Sequence, residues 1–355
     1  MQKRSTPYRP NQQTSKIDMQ TKNRPKNHFR RWLKPILLAL ATSTCMGLAP
    51  LTSHATDNAS ITIVLVAGDL TDPFFSALKR GADDAAQQLG VKFEYIPAKI
   101  VAPDLAKALQ TAIASKPAGL AYGDWFPNAE DPIVTEAAKS GIPVVAVNAA
   151  PADWAKTGAF ALVGQSDYQA GVLGGELLAK LGAHHVLCVN HAPGSENLEQ
   201  RIKGLADALK KSGADSTVLS VPAADATNPG KVTQAIQGAL SSDSKVDAIF
   251  TLGSAVAADA ARAVQQQNLG DKVKIGSVDL STAVLNQIKD GKIAFTIDQQ
   301  PYLQGYYAVS LLVQNAIYGM HLVGEVPTGP LTIDKSTVDR VLKVNGEHPG
   351  IRGAL

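Results

Sequence analysis

Thirteen polar and aromatic residues stand where short apolar runs give way to loops: Asp69, Asp72, Phe74, Phe75, Asp124, Trp125, Asn148, Arg201, Ser254, Asp279, Asp298, Gln299 and Gln300. Carboxylates and amides exchange hydrogen bonds with hydroxyl groups, and a flat apolar ring suits the C–H face of a sugar or polyol. Gathered in one cleft, such a set would recognise a small polyhydroxylated molecule. Aromatic residues make up only 5% of the chain, so a cluster of them is informative.

Each residue also has a plainer reading. Asp72 before Pro73 is an ordinary helix start, and capping alone could explain it. Phe74 and Phe75 could be core, but adjacent helical positions point about 100° apart, so both cannot lie at the centre of one buried stripe. At least one is expected to face the cleft. Trp125 directly follows Asp124 at a strand end, a placement that favours recognition over packing. Arg201 lies about two turns into a helix, where a solvated arginine is equally reasonable, and Asp279 could simply cap the helix that begins near Ser281. Gln299 and Gln300 could bond inter-lobe backbone instead of a ligand.

The elements that must position these residues alternate. Strand candidates are "ITIVLVA", "VKFEYI", "AGLAY", "PVVAV" and "AFALVG", then "HVLCVN", "STVLSV", "VDAIFTL", "KIGSV" and "IAFTID". Between them run helical stretches such as "DPFFSALKRGADDAAQQLG", ending at Gly90, and "DAARAVQQQNLG", ending at Gly270. Strand–helix alternation with near-continuous apolar strands predicts an α/β protein with parallel sheets covered on both faces. Two such sets fit two doubly wound lobes, with the break near "ALVGQSDYQAGVLGGELL". In open α/β sheets the ligand lies at the carboxyl ends of the strands, where these residues are.

The first 55 residues read as a secretory signal peptide. A basic stretch (Arg24, Lys26, Arg30, Arg31, Lys34) precedes an apolar run from about Ile36 to Leu51, and Ser53-His54-Ala55 is a small-x-small cleavage site. Cys45 lacks the apolar residue that lipid-modified leaders carry three positions earlier, so Cys188 is the one cysteine expected in the mature chain. Loss of the leader removes ten basic and one acidic residue, leaving 24 basic and 30 acidic ones. A net charge near −6 argues against a nucleic-acid partner.

Catalysis has no motif here. There is no G-x-S-x-G elbow and no G-x-G-x-x-G after the first strand. His184, His185 and His191 cluster without the spacing of a metal site, so neither a metal nor a cofactor is expected.

From Ile61 to about Val344 the chain resembles the periplasmic sugar-binding proteins of the ribose-binding type, the solute receptors of ATP-driven importers. The resemblance is carried by "DPFFSALKRGADDAAQQLG", by the G-S-x5-R-x2-G run from Gly194 to Gly204, and by "VDLSTAVLNQIKDGKIAFTIDQQPYLQG". It implies a type I periplasmic binding protein: two lobes joined by three crossings, near residues 163–167, 298–301 and 326–330. Residues 56–164 and 299–327 would form the N-terminal lobe, 165–298 and 328–345 the C-terminal lobe, and 346–355 a tail. It further implies a monomer that closes on a neutral monosaccharide or polyol and hands it to a membrane permease. The same cleft would serve a receptor that presents its ligand to a chemoreceptor or sensor kinase, or one for a non-sugar small molecule. A DNA-binding regulator of this fold needs a DNA-reading motif where this chain has its leader.

Carried over by position, Asp72 falls where the family usually has Asn, Phe74 and Phe75 match its stacking pair, and Arg201, Asp279 and Gln299 match ligand-binding positions. Three departures stand out. Asn148-Ala149 replaces an Asp-Arg pair, and Gly253-Ser254 replaces a ligand-binding Asn; Val278 stands where an aromatic is usual. Loss of the guanidinium removes a bidentate contact and points away from ribose itself. The expected ligand-binding set is therefore Asp72, Phe74, Phe75, Asp124, Trp125, Asn148, Arg201, Ser254, Asp279 and Gln299. Its acids disfavour anionic sugar acids.

Overall fold

Strand and helix alternate from Thr62 onward because β-branched runs, buried on both faces except in the edge strands, are separated by Ala-rich amphipathic stretches. The computed structural model describes residues 58–222 and 224–354; the leader expected over residues 1–55, with its cleavage site, lies outside the described residues. All that follows belongs to one compact unit, Ala55–Leu355.

The first half runs β1 (Thr62–Gly68), α1 (Pro73–Leu89), β2 (Lys92–Ala98), α2 (Ala102–Ala114), β3 (Gly119–Tyr122), α3 (Pro127–Lys139), β4 (Val144–Val147) and β5 (Ala161–Gly164). The second half repeats the plan: α4 (Asp167–Lys180), β6 (His185–Asn190), α5 (Glu196–Lys211), β7 (Asp215–Ser220), α6 (Pro229–Ser242), β8 (Ala248–Thr251), α7 (Ser254–Gln266), β9 (Lys274–Val278), α8 (Thr282–Lys289) and β10 (Phe295–Asp298). Then come α9 (Pro301–Tyr318), β11 (Gly324–Pro327), β12 (Leu331–Asp334) and α10 (Val338–Glu347).

Two six-stranded sheets result, ordered β11-β5-β4-β3-β1-β2 and β12-β10-β9-β8-β6-β7. Every pairing is parallel except β10 with β12. The short edge strands β11 and β12 carry no periodic apolar run; neither is among the strand candidates. The chain passes between the sheets at 164–167, 298–301 and 327–331. After the second passage α9 packs on α1 and on β3, β4 and β5 of the first sheet. Among the described residues no helix is long and apolar enough to cross a membrane.

Helix ends follow capping chemistry. α1 stops at Gly90, whose φ of 69° lets Val91 N bond back to Ala86 O at 3.0 Å. The helix expected to run to Gly270 stops at Gln266 instead. Asn268 adopts φ 55°, and Leu269 N closes on Val264 O at 3.0 Å, so an asparagine takes the place that a glycine took in α1.

The C-terminal residues expected as a tail are packed. α10 extends to Glu347; beyond it Arg80 of α1 donates to Pro349 O at 2.8 Å, and Arg352 pairs with the buried carboxylate of Asp298. A buried carboxylate needs a counter-charge, and the C-terminal segment supplies it.

Candidate functional site

Asp72 begins the site at the amino end of α1. Its carboxylate accepts from Phe74 N at 2.9 Å, so it caps the helix and still borders a cavity of about 220 Å³ between the two sheets. Phe74 and Phe75 both line this cavity, each 8% exposed, with ring centroids 5.2 Å apart at 78°. Because the cavity lies at the tip of α1, residues 100° apart on the helix both reach it. Trp125 completes the aromatic wall, edge-on to Phe75 with centroids at 5.9 Å.

Two glycines seat these rings. A Cβ on Gly68 would come within 2.1 Å of the Phe75 ring, and one on Gly123 within 2.2 Å of the Trp125 ring.

Arg201 and Asp279 form the opposite wall. Arg201 is 2% exposed and held from behind: Nε donates to Asp167 Oδ1 at 2.8 Å and Nη1 to Leu252 O at 2.7 Å. This geometry depends on close packing of α4 against α5, where a Cβ on Gly171 would meet Arg201 O at 2.1 Å and one on Gly204 would meet Tyr168 O at 2.0 Å. Asp279 follows β9 in the left-handed region (φ 71°), and Ser281, not Asp279, caps α8 by accepting from Val284 N at 3.2 Å. That leaves the Asp279 carboxylate free to take Gln299 Nε2 at 2.5 Å.

Burial raises the Asp279 carboxyl to about 6, against the pull of Arg201; burial also raises Asp72 above its ordinary value. His191 lines the cavity as well. Burial and the nearby Arg201 charge lower its ring to about 4, which leaves it a neutral imidazole at pH 7. Across the mouth, Glu196 N donates to Trp125 O at 2.9 Å, so the two walls are bonded to each other around the cavity.

Seven of the ten expected residues line this space: Asp72, Phe74, Phe75, Trp125, Arg201, Asp279 and Gln299. Three do not. Asp124 is 0% exposed and turned into its own lobe, its carboxyl against those of Asp131 and Glu130. Asn148 stands one layer back, donating from Nδ2 to Gln299 Oε1 at 3.2 Å. Ser254 is the first residue of α7 and does not border the cavity. The sequence reading missed Ile100, His191, Ala192, Ser195, Asn197, Leu198 and Leu252. Ser195, Asn197 and Leu198 sit inside the Gly194–Gly204 run that carried Arg201, a signal available but unused. His191, whose neighbours in sequence suggest nothing beyond a metal ligand, has its ring over Gly253, where a Cβ would be 2.8 Å away.

A two-lobed α/β protein with a polar and aromatic cavity between parallel sheets defines a solute-binding class. The chain belongs to the periplasmic binding protein domain family, whose model matches residues 63–319. It is 30% identical over 284 residues to the ribose import binding protein RbsB of Haemophilus influenzae, an alignment spanning 77% of this chain and 90% of that one. The xylose/arabinose-binding protein XylF of Sulfolobus acidocaldarius is 28% identical over 287 residues, spanning 77% and 69%. Among solved structures, a carbohydrate transporter from Acidothermus cellulolyticus 11B in complex with myo-inositol is 33% identical, with a TM-score of 0.75 over 82% of this chain and 99% of the other.

Proposed function

We propose that the protein is an extracytoplasmic receptor of an ABC importer that closes its lobes on one small, neutral, polyhydroxylated molecule, a monosaccharide or sugar alcohol. The observation that carries this reading is the cavity itself, which sets the rings of Phe74, Phe75 and Trp125 against the polar groups of Asp72, Arg201, Asp279 and Gln299. Rings desolvate the C–H face of such a ligand while carboxylates accept its hydroxyl protons. The named binding proteins among the relatives support a receptor that binds without transforming its ligand. On this reading the mature chain is a periplasmic monomer released from its leader after Ala55, and a membrane permease takes the ligand from it.

A thermal-shift screen of residues 56–355 against pentoses, hexoses, sugar alcohols, sugar acids and amines tests this. Ligand at a hundredfold excess over Kd stabilises the folded state by about 2.7 kcal/mol. A selective rise with a neutral sugar or polyol is expected; a rise only with amines or acids would sink the ligand class.

A further inference from the structure

Arg201 lines the cavity as the one guanidinium among its walls, and a lone arginine in a sugar site would ordinarily invite a carboxylate. Its charge is already engaged. Asp167, the first residue of α4, holds Arg201 Nε at 2.8 Å and is itself buried, with Gln165 Nε2 donating to the same oxygen at 3.2 Å. Asp167 does not border the ligand cavity; it faces a separate space of about 160 Å³, walled by Gln165, Tyr168 and Gln200 among others.

The remaining charged groups facing the cavity are Asp72 and Asp279, and the Asp279 carboxyl feels both Asp72 and Asp167 as like charges. One guanidinium thus shares the site with three carboxyls: Asp167 bonded to it, Asp279 within reach of its charge, and Asp72 at the amino end of α1 across the cavity. His191 adds no positive charge at neutral pH. Burial favours the protonated form of Asp167, but the permanently charged Arg201 guanidinium bonded to it at 2.8 Å opposes that shift, and the geometry is that of an ion pair.

Resting on the receptor reading above, we propose that Asp167 is the positioning residue that makes this site refuse carboxylate-bearing sugars. It holds the guanidinium from behind, so that Arg201 offers its remaining N–H donors to hydroxyl oxygens while the site as a whole keeps a negative field. A uronate or aldonate entering the cavity meets Asp72 and Asp279 with no uncompensated cation to offset them. A neutral sugar meets the same donors and acceptors without that repulsion.

The experiment pairs each neutral sugar with its acid: glucose with glucuronate, galactose with galacturonate, xylose with xylonate. Calorimetric titration is run on wild type, Asp167→Asn and Asp167→Glu. Asp167→Asn keeps the shape and an acceptor for Arg201 Nε but releases the charge. Its affinity for at least one acid is expected to rise tenfold or more relative to wild type, with discrimination retained in Asp167→Glu. A merely structural residue would weaken neutral and acidic sugars together. No gain of acid binding by a folded Asp167→Asn overturns the inference. The wild type decides independently of whether the variants fold, because any acid bound within threefold of its neutral partner also overturns it. Failure of every neutral sugar to bind the wild type sinks the receptor reading instead, and is told apart by the same titrations.

Discussion

Asn148 and Asp279 occupy the same position in the two lobes, one residue past β4 and one past β9, and both are left-handed, with φ of 67° and 71°. Between them the Gln299 side chain takes Asn148 Nδ2 on its oxygen at 3.2 Å and donates from Nε2 to Asp279 at 2.5 Å. One amide in the second crossing therefore ties equivalent strand ends of both lobes together. Three non-glycine residues with positive φ, Asn148, Asp279 and Gln300, converge there, the kind of concentrated backbone strain found at ligand clamps. Replacing Gln299 by Ala is expected to weaken ligand binding roughly tenfold or more, since it strips a hydrogen bond from a charged group. Asn148→Ala should cost less, because Asn148 reaches the cavity only through Gln299. Titration calorimetry on the two variants gives the order, and the reverse order would place Asn148 in direct contact with the ligand.

The Asp279 carboxyl, raised to about 6, makes binding sensitive to mild acid. A ligand hydroxyl donates to the ionised form, so affinity should be full above about pH 6 and fall by up to about tenfold per unit below it. Folding has the opposite sign. The folded chain holds this proton more tightly than the unfolded one, whose carboxyl has its ordinary value of 3.8. This group therefore adds stability as pH falls from about 6 towards 3.8, and that stability is lost as pH rises back through the window. Dissociation constants at pH 5 and 7.5, for wild type and Asp279→Asn, check this; an unchanged constant in the wild type would refute it.

Asp124 offers a stability test away from the cavity. Burial, with Asp131 and Glu130 as neighbours, pushes its carboxyl up to about 9, and burial pushes Glu130 up to about 7. Both groups keep protons that the unfolded chain has released, so stability should decline between about pH 5 and 8, by up to about 1.4 kcal/mol per unit for each group titrating in that way. Asp124→Asn, neutral at every pH, should raise Tm at pH 8 and flatten the slope. Thermal unfolding at pH 6 and 8 reads both, and a variant less stable than wild type at pH 8 would show the carboxylate to be ionised and compensated.

Among the described residues the tryptophans are Trp125, in the cavity wall, and Trp154, which is not part of it. Ligand addition should shift the emission of wild type and Trp154→Phe but not of Trp125→Phe. Gly123→Ala would push the indole out of its seat and is expected to lower affinity about tenfold with little change in helix content, as read by circular dichroism. Loss of the fluorescence change in Trp154→Phe would mean that closure is sensed elsewhere.

Arg352 compensates a carboxylate that is 1% exposed at the second crossing. Arg352→Met should destabilise the protein by about 3 kcal/mol, because Asp298 would be left buried without a partner. Asp298→Asn in the same chain should recover much of that loss. Thermal unfolding of the single and double variants measures the coupling, and additive losses would argue against the pair.

The strand-and-helix alternation, the strands β1 to β10 and the aromatic start of α1 were legible in the chain, because strand runs and helix caps are written in local residue order. Asp279 and Phe75 were legible as candidates for the same reason, since they stand at a strand end and a helix start; Arg201, inside α5, was legible through the Gly194–Gly204 run. Which strand-end side chains turn towards the cavity was decided only in three dimensions. Asp124 and Asp279 look alike in sequence, an acid just after an apolar run, yet Asp124 is turned into its own lobe, where Asp124 N bonds Ala149 O at 2.8 Å. Asp279 is turned outwards by a left-handed backbone and by Ser281 taking over the helix cap. The same holds for His191, seated over Gly253, and for the C-terminal residues drawn in by Asp298. Orientation at these positions depends on neighbours far away in the chain, and local order carries no record of them.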